Sequence, residues 1–498
     1  MFRKVLVANR GEIAVRLLRA LRELRIASVA VYSDADRAAL HVRMADEAVH
    51  IGPAPSSESY LRGDRILEAA IATGAQAIHP GYGFLSENAG FAEACEDAGV
   101  VFVGPSARSI AAMGLKTEAR QMAMEAGVPV VPGSEEPVRD LGRALTIAGE
   151  IGYPLMLKAA AGGGGKGMRR VYREADLAAA LRDAASEAQR SFNNGDVYIE
   201  KLVENPRHIE VQVLGDKWGH MIHLGERECS LQRRHQKLVE ECPSPFVAMR
   251  PDLRHAMGEA AVRVARAGGY YNAGTVEFLV DGDGRFYFLE MNARLQVEHP
   301  VTELVTGLDL VHWQLRIAAG ERLSVDQYAV RWNGSAIECR ICAEDPDNNF
   351  LPSPGLIRQI ERPSGPGVRL DSGVYPGWTV PVEYDPLLAK VVAWAETRPL
   401  ALDRMRRALA EYSVQGIKTN LSFFRQVMED KDFRDGAIHT GYIDQWLRTR
   451  PPAAEDDGCQ VIAALVAAIH SRRAPVPVAE APAGASPWRT QGRERVLR

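Results

Sequence analysis

The stretch from Thr275 to Glu298 restricts the fold more than any other. Thr275-Val276-Glu277-Phe278-Leu279-Val280 and Phe286-Tyr287-Phe288-Leu289-Glu290-Met291-Asn292 are β-forming runs joined through Asp281-Gly282-Asp283-Gly284, the pattern of an antiparallel hairpin. From Glu290 every second residue is polar: Glu290, Asn292, Arg294, Gln296, Glu298. On an extended chain these five project from one face. A two-residue turn at Gly282-Asp283 would put Glu277 opposite Phe288 and diagonal to Glu290. A solvated strand face would mix Lys, Thr and Ser rather than line up this set. Two carboxylates with an Asn carbonyl form a hard, oxygen-rich donor set, suited to Mg²⁺ or Mn²⁺ bridging nucleotide phosphates rather than to zinc.

Around this hairpin the 498 residues divide by pattern into about three domains. Lys4 to Ala8 is an apolar run ending at Asn9-Arg10-Gly11, followed by a helix with Ile13, Leu17, Leu21 and Leu24 on its buried stripe. Ser28 to Tyr32, Ala77-Ile78 and Val100 to Val103 continue the β/α alternation. Residues 1–113 therefore read as a doubly wound parallel sheet. Residues 114–330 mix helices with alternating strands, as half-exposed antiparallel sheets do, and include a Gly-rich lid subdomain at about 131–204. Residues 331–447 are strand-rich with Pro/Gly turns and close with a helix from Ala401 to Glu411; the expectation is an antiparallel β-rich C-terminal domain. Residues 448–498 form a tail, partly helical (Cys459 to Ile469) or disordered, with a flexible stretch from Ala474 to Pro487 and a basic stub from Trp488 to Arg498.

The formal net charge of −4 carries no whole-chain basic footprint for nucleic acid. Six cysteines make no disulfide framework, and the lone Cys339-x-x-Cys342 pair would point to opposite faces of a strand. The N-terminus resembles neither a signal nor a transit peptide. The apolar run Val461 to Ile469 is too short to span a bilayer. The expectation is a soluble cytoplasmic protein without membrane partners.

The run Gly162-Gly163-Gly164-Gly165-Lys166-Gly167 satisfies G-x-G-x-x-G only trivially, and Met168-Arg169 follows where a P-loop needs Lys-Ser/Thr. It reads as a mobile hairpin whose backbone N–H groups and Lys166 fold over phosphates, supported by Lys158 at the polar end of the preceding strand. His208, Glu210 and Gln212 share one strand face; Glu338 and Arg340 share another. Arg233-Arg234-His235-Gln236-Lys237 is a dense basic run, read beside the hairpin as a phosphate- or bicarbonate-binding loop.

Together these pieces resemble the biotin carboxylases of the ATP-grasp superfamily. The similar segments are Ala8 to Ala14, His79-Pro80-Gly81-Tyr82-Gly83-Phe84-Leu85-Ser86-Glu87-Asn88, Ala160 to Met168, Gln232 to Lys237, Glu290 to Pro300, Glu338-Cys339-Arg340 and Phe350-Leu351-Pro352-Ser353-Pro354-Gly355. They stand in family order over about residues 1–447. The departures, Cys242 and Cys342, fall on no assigned catalytic position.

The resemblance implies a central ATP-grasp domain and ATP-dependent carboxylation of biotin through carboxyphosphate. It implies that Lys116, Lys158, Glu200, Lys201, His208, Gln232 and His235 hold ATP under the Gly162–Gly167 lid, and that Glu277, Glu290 and Asn292 bind two Mg²⁺ or Mn²⁺ ions. Lys237, Arg294, Gln296 and the Val297 backbone would hold bicarbonate, Glu298 would be its general base, and Arg340 with Tyr82 would meet biotin. A homodimer is implied. Many relatives carry a biotinylated Met-Lys-Met; this sequence contains none, and its last lysine is Lys431. Biotin is then expected as a substrate on a separate carboxyl carrier protein, with a carboxyltransferase subunit completing an acyl-CoA carboxylase, acetyl-CoA first and propionyl-CoA or pyruvate as alternatives. The tail is expected to dock that partner. The competing classes are another ATP-grasp ligase, a non-catalytic nucleotide-binding subunit, which needs no general base, and a nicotinamide oxidoreductase, for which only Gly11 follows the first strand.

Overall fold

The computed structural model describes residues 1–134, 136–159, 168–192, 194–449 and 457–472. Near the N-terminus five parallel strands, Lys4–Val7, Ala27–Ser33, Glu47–Gly52, Ala77–His79 and Val101–Phe102, lie in the order third, second, first, fourth, fifth. The alternation expected for a doubly wound sheet is explicit in the first strand. Val5 and Val7 pack with Ile13, Leu17 and Leu21 of the helix Gly11–Glu23, while Leu6 and Ala8 pack on the other face with Ile66, Ala70 and Phe91. The strand order reverses between the first and fourth strands, the usual place for a ligand crevice in such sheets. There the Asn9 amide donates to the carbonyls of Pro80 (2.7 Å) and Tyr82 (2.8 Å). Gly81 adopts φ +66°, and a Cβ on it would crowd Asn9 and Ile13 at 3.1 Å. The Glu47–Gly52 strand has no counterpart in the sequence reading, because four of its six residues are not buried.

The second layer is one antiparallel sheet of eight strands: Phe286–Asn292, Asn272–Val280, Arg207–Gly215, Met221–Arg233, Gln236–Cys242, Ser335–Cys342, Leu387–Ala395 and Val368–Ser372. It crosses the boundary expected at residue 330: Ser335–Cys342 pairs with Gln236–Cys242 and removes what would be an unpaired edge. One face carries Ile209, Val211, Val213, Val276, Phe278 and Phe288 against Met257, Ala260, Ala261 and Val264 of the helix Pro251–Ala267. The opposite face was expected to be half-exposed. It is instead buried, with Glu210, Gln212 and Arg227 fully inaccessible. Such burial is tolerable only because these groups pair with one another.

A small three-stranded antiparallel sheet, Arg169–Val171, Leu155–Ala159 and Val197–Lys201, packs Leu155, Leu157, Val171 and Ile199 against Leu177, Leu181, Ala144 and Ile147 of two helices. Fully burying each Leu or Ile is worth about 1.5–3 kcal/mol, so this unit has its own core. Asp140 caps the helix Leu141–Ile151 by accepting from the Arg143 N–H at 2.8 Å. Gly162–Gly167, which join the first two strands in sequence, lie outside the described residues.

The helix read at Ala401 to Glu411 spans Arg398–Glu411, one turn longer because Pro399 fits a first helical turn; it does not close the region, since Leu421–Val427, Lys431–Arg434 and Tyr442–Thr449 follow as further helices. In the tail a helix, Asp457–Arg472, contains the expected segment and exposes Ile462, Leu465, Val466 and Ile469. Residues 473–498, with the flexible stretch and basic stub, lie outside the described residues. Among the described residues no helix is long and apolar enough to cross a membrane.

Candidate active site

The hairpin between Thr275 and Asn292 forms, but with a register different from the expected one. Residues 281–285 make the turn, closed by Asp281 N–H to Arg285 O at 2.9 Å. Phe278 therefore pairs with Phe288 and, across a bulge at Leu289, Glu277 pairs directly with Glu290. The bulge resolves a conflict of parity. Phe286 and Phe288 belong to the apolar side, and without an extra residue Glu290 would follow them there. With Leu289 bulged, Met291 turns into the core while Glu290 and Asn292 face the site. The extended chain ends at Asn292; Ala293 to Glu298 bend and turn before the helix His299–Thr306. Arg294, Gln296 and Glu298 thus converge through a turn rather than along one strand face.

Glu298 meets Lys237. Its ammonium donates to Glu298 Oε1 (2.7 Å), Glu277 Oε1 (2.8 Å) and Glu210 Oε2 (2.6 Å). Arg340 donates from Nη2 to Glu298 Oε2 (2.8 Å) and from Nε to Glu240 Oε1 (2.6 Å). Glu298, fully buried, is thereby gripped on both oxygens. Burial alone would raise its pKa, but Lys237, Arg340 and Arg227 outweigh burial and hold the carboxylate well below the usual range. For Lys237 burial opposes the charge, and Glu210, Glu277 and Glu298 win, so it stays an ammonium. Arg294 donates to Asn292 Oδ1 (2.9 Å), Gln296 Oε1 (2.8 Å) and Glu87 Oε2 (2.8 Å), and Glu87 also accepts from the Ala293 N–H at 2.9 Å. The N-terminal α/β layer therefore fixes the bend.

Of the remaining predicted residues, Tyr82, Lys158, Glu200, Lys201, His208, Gln232, His235, Glu290 and Val297 line one cavity of about 1470 Å³, which runs from Asn9 and Gly83 past Arg340 to Lys158 and His235. Lys158 and Glu200 form an ion pair. The Lys201 ammonium bonds the carbonyls of Gly152 (3.1 Å) and Tyr153 (2.9 Å). His208 bonds Glu277 Oε2 at 2.8 Å; its burial opposes protonation, but Glu277 raises its pKa. Arg234 and His235 form a two-residue turn with φ +49° and +66°, costing of order 1–3 kcal/mol each for residues other than glycine. That turn sets Gln232 directly across from Lys237. Tyr82 donates to Glu12. Lys116 begins the helix Lys116–Glu125; its side chain is outside the described residues.

Glu277, Glu290 and Asn292 fit a hard cation by donor chemistry and by pairing. Both Glu277 oxygens and Asn292 Oδ1 are held by protein donors here, so a cation would take them in exchange.

Sequence reasoning missed several members of this network. Arg227, fully buried, donates to Glu210, Gln212 (2.7 Å), Thr302 (3.0 Å) and Thr275 (3.0 Å). Lys390, also fully buried, donates to the Val297 carbonyl at 2.7 Å and lies 3.2 Å from Glu12. Glu87 and Glu12 had a signal, their places in the quoted His79 to Asn88 and Ala8 to Ala14 segments. Lys390→Met keeps the stem and removes the charge. The expected result is a loss of about 3 kcal/mol or more in denaturant unfolding, and a higher KM for bicarbonate as the Val297 turn loosens.

Comparison with known proteins agrees along the chain. Residues 1–110 match the family described as biotin carboxylase, N-terminal domain; 116–326 match carbamoyl-phosphate synthase L chain, ATP binding domain; 338–445 match biotin carboxylase C-terminal domain. Biotin carboxylase 1 of Bacillus subtilis (strain 168) is 52% identical over 447 residues, 90% of this chain and 99% of the relative. The 2-oxoglutarate carboxylase small subunit of Hydrogenobacter thermophilus is 49% identical over 473 residues, 94% of this chain and 100% of the relative. The biotin carboxylase domain dimer of that 2-oxoglutarate carboxylase, solved with MgADP, ADP and bicarbonate, superposes with a TM-score of 0.84 at 50% identity, covering 91% of this chain and 99% of that one.

Proposed function

This chain belongs to the biotin carboxylase family, and from that premise we propose that its cavity joins bicarbonate to ATP and passes the carboxyl group to biotin on a separate carrier protein. The observation that carries the reading is the buried Glu298 carboxylate, held by Lys237 and Arg340 beside Arg294 and Gln296. A site that only binds nucleotide has no use for a carboxylate so placed.

Lys237, Arg294, Gln296 and the Val297 backbone would take bicarbonate. As Lys237 and Arg340 turn to incoming anions, Glu298 loses its partners and its basicity rises, which suits it to remove the bicarbonate proton. A bicarbonate oxygen then attacks the γ-phosphorus and ADP leaves, giving carboxyphosphate. Lys158, Glu200, His208, Gln232 and His235, with Lys116, Lys201 and the Gly162–Gly167 lid, would hold the nucleotide. A divalent cation held by Glu277, Glu290 and Asn292 supplies charge neutralisation on the phosphates. Carboxyphosphate breaks its C–O bond to give CO₂ and phosphate; the phosphate takes the ureido N–H proton and the nitrogen attacks CO₂, with Arg340 and Tyr82 beside the ureido oxygen, where charge develops. Water exclusion protects the labile intermediate.

The biotin carboxylase domain of the Hydrogenobacter thermophilus 2-oxoglutarate carboxylase was solved as a dimer, which supports a homodimer; a carrier and a carboxyltransferase as partners, and the cytoplasm as location, are proposed with it. The final acceptor is proposed to be acetyl-CoA, with propionyl-CoA or pyruvate as alternatives decided by the carboxyltransferase. Reconstitution with each carboxyltransferase reads the acceptor directly. The chemistry is tested by supplying ¹⁸O-bicarbonate: label must appear in the released phosphate, and unlabelled phosphate would contradict a carboxyphosphate route.

A further inference from the structure

We propose that Glu338 is a protonated carboxylic acid sharing its proton with Glu240 across two adjacent strands, and that this neutral acid sets the charge Arg340 presents to the site. The inference rests on the proposed function only for its consequence; the protonation itself stands on geometry. Glu240 and Glu338 are direct cross-strand partners, a pairing that brings Cβ atoms to about 4.5–5.5 Å on one face. Both are fully buried. Among the described residues neither oxygen of Glu338 has a hydrogen-bond partner, and neither does Oε2 of Glu240. One proton between the two facing carboxyls would give a partner to Glu240 Oε2 and to one Glu338 oxygen, and would spare two buried cross-strand neighbours from both carrying charge.

The nearby cations do not relieve the pair. Arg340 spends its Nε on Glu240 Oε1 and its Nη2 on Glu298. Lys390, on the strand Leu387–Ala395, bonds the Val297 carbonyl and lies against Glu12. The ionisable groups facing Glu338 are Lys390, Glu240, Arg340, Glu298 and Tyr82. Burial and the Glu240 and Glu298 charges push the Glu338 carboxyl well above its ordinary range, against the pull of Lys390 and Arg340. Burial raises Glu240 in the same direction.

The consequence concerns Arg340. With Glu338 also ionised, Arg340 would face a third carboxylate beyond Glu240 and Glu298, and the positive charge it presents to bicarbonate, carboxyphosphate and the biotin enolate would fall. A neutral Glu338 removes one of these charges while keeping Glu240 as the hydrogen-bond partner that aims Arg340. Glu338 is thus a positioning residue. Its raised pKa keeps it protonated beyond the ordinary carboxylate range, and the arrangement is lost as pH rises through the raised value.

A neutron structure of the unsubstituted protein should place a deuteron on Glu338 or between it and Glu240. No deuteron on either carboxyl at neutral pH would overturn the proposal without touching the assignment of activity. In Glu338→Gln, which cannot ionise, turnover at neutral pH should fall by no more than about threefold, and the alkaline limb of kcat/KM for bicarbonate should move up by about one pH unit or more. An unchanged alkaline limb would overturn the link to Arg340. A loss as deep as that of Glu298→Gln would mean Glu338 acts as a carboxylate. If the variant folds poorly, the neutron result on the unsubstituted protein decides alone.

Discussion

Glu298→Gln is expected to lower bicarbonate-dependent ADP formation by about 10²–10⁴-fold, the range for removing a positioned general base, while ATP affinity changes by less than about threefold. The variant should fold. Lys237 keeps Glu210 and Glu277, and Arg340 keeps Glu240, so neither buried cation is stranded. The large effect on rate and the small effect on binding follow from the same geometry, since Glu298 touches the two cations and no predicted ATP-binding group. Kinetics with separate ATP titration check this; parallel losses in both would remove Glu298 from the role of base.

Arg340→Ala is the second large effect. On the proposed reading its guanidinium meets the ureido oxygen as negative charge develops there, and deleting one such donor costs about 10²–10³-fold. Biotin carboxylation should fall by that factor, while ATP affinity is retained and a slow bicarbonate-dependent ATP cleavage persists. The substitution also frees Glu240 Oε1 and Glu298 Oε2, leaving Lys237 as the partner of Glu298, so proton removal from bicarbonate survives. Measuring biotin-dependent and biotin-independent ADP release side by side separates the two. Equal loss of both activities and of ATP binding would sink the assignment.

These effects were only partly legible in the sequence. The first strand and its helix were readable because Val5, Val7, Ile13, Leu17 and Leu21 keep local periodicities that no distant contact changes. The acid pair Glu277 and Glu290 was readable in kind but not in register: loop length and a bulge are decided by which side chains find the core, and Phe286 and Phe288 take the core side. In hindsight, two phenylalanines in the same parity as Glu290 were the sign of an extra residue. The polar strand faces were misread as half-exposed because burial depends on partners far along the chain. Arg340 reaches Glu240 across 100 residues and Lys390 reaches Val297 across 93, and no local pattern marks Lys390 as a buried cation.

The most direct test is ADP formation by the purified protein with Mg-ATP, measured with and without bicarbonate and with and without free biotin. The account predicts turnover that requires bicarbonate and rises with biotin. Turnover indifferent to bicarbonate, despite tight ATP binding, would contradict it and point to a different acceptor.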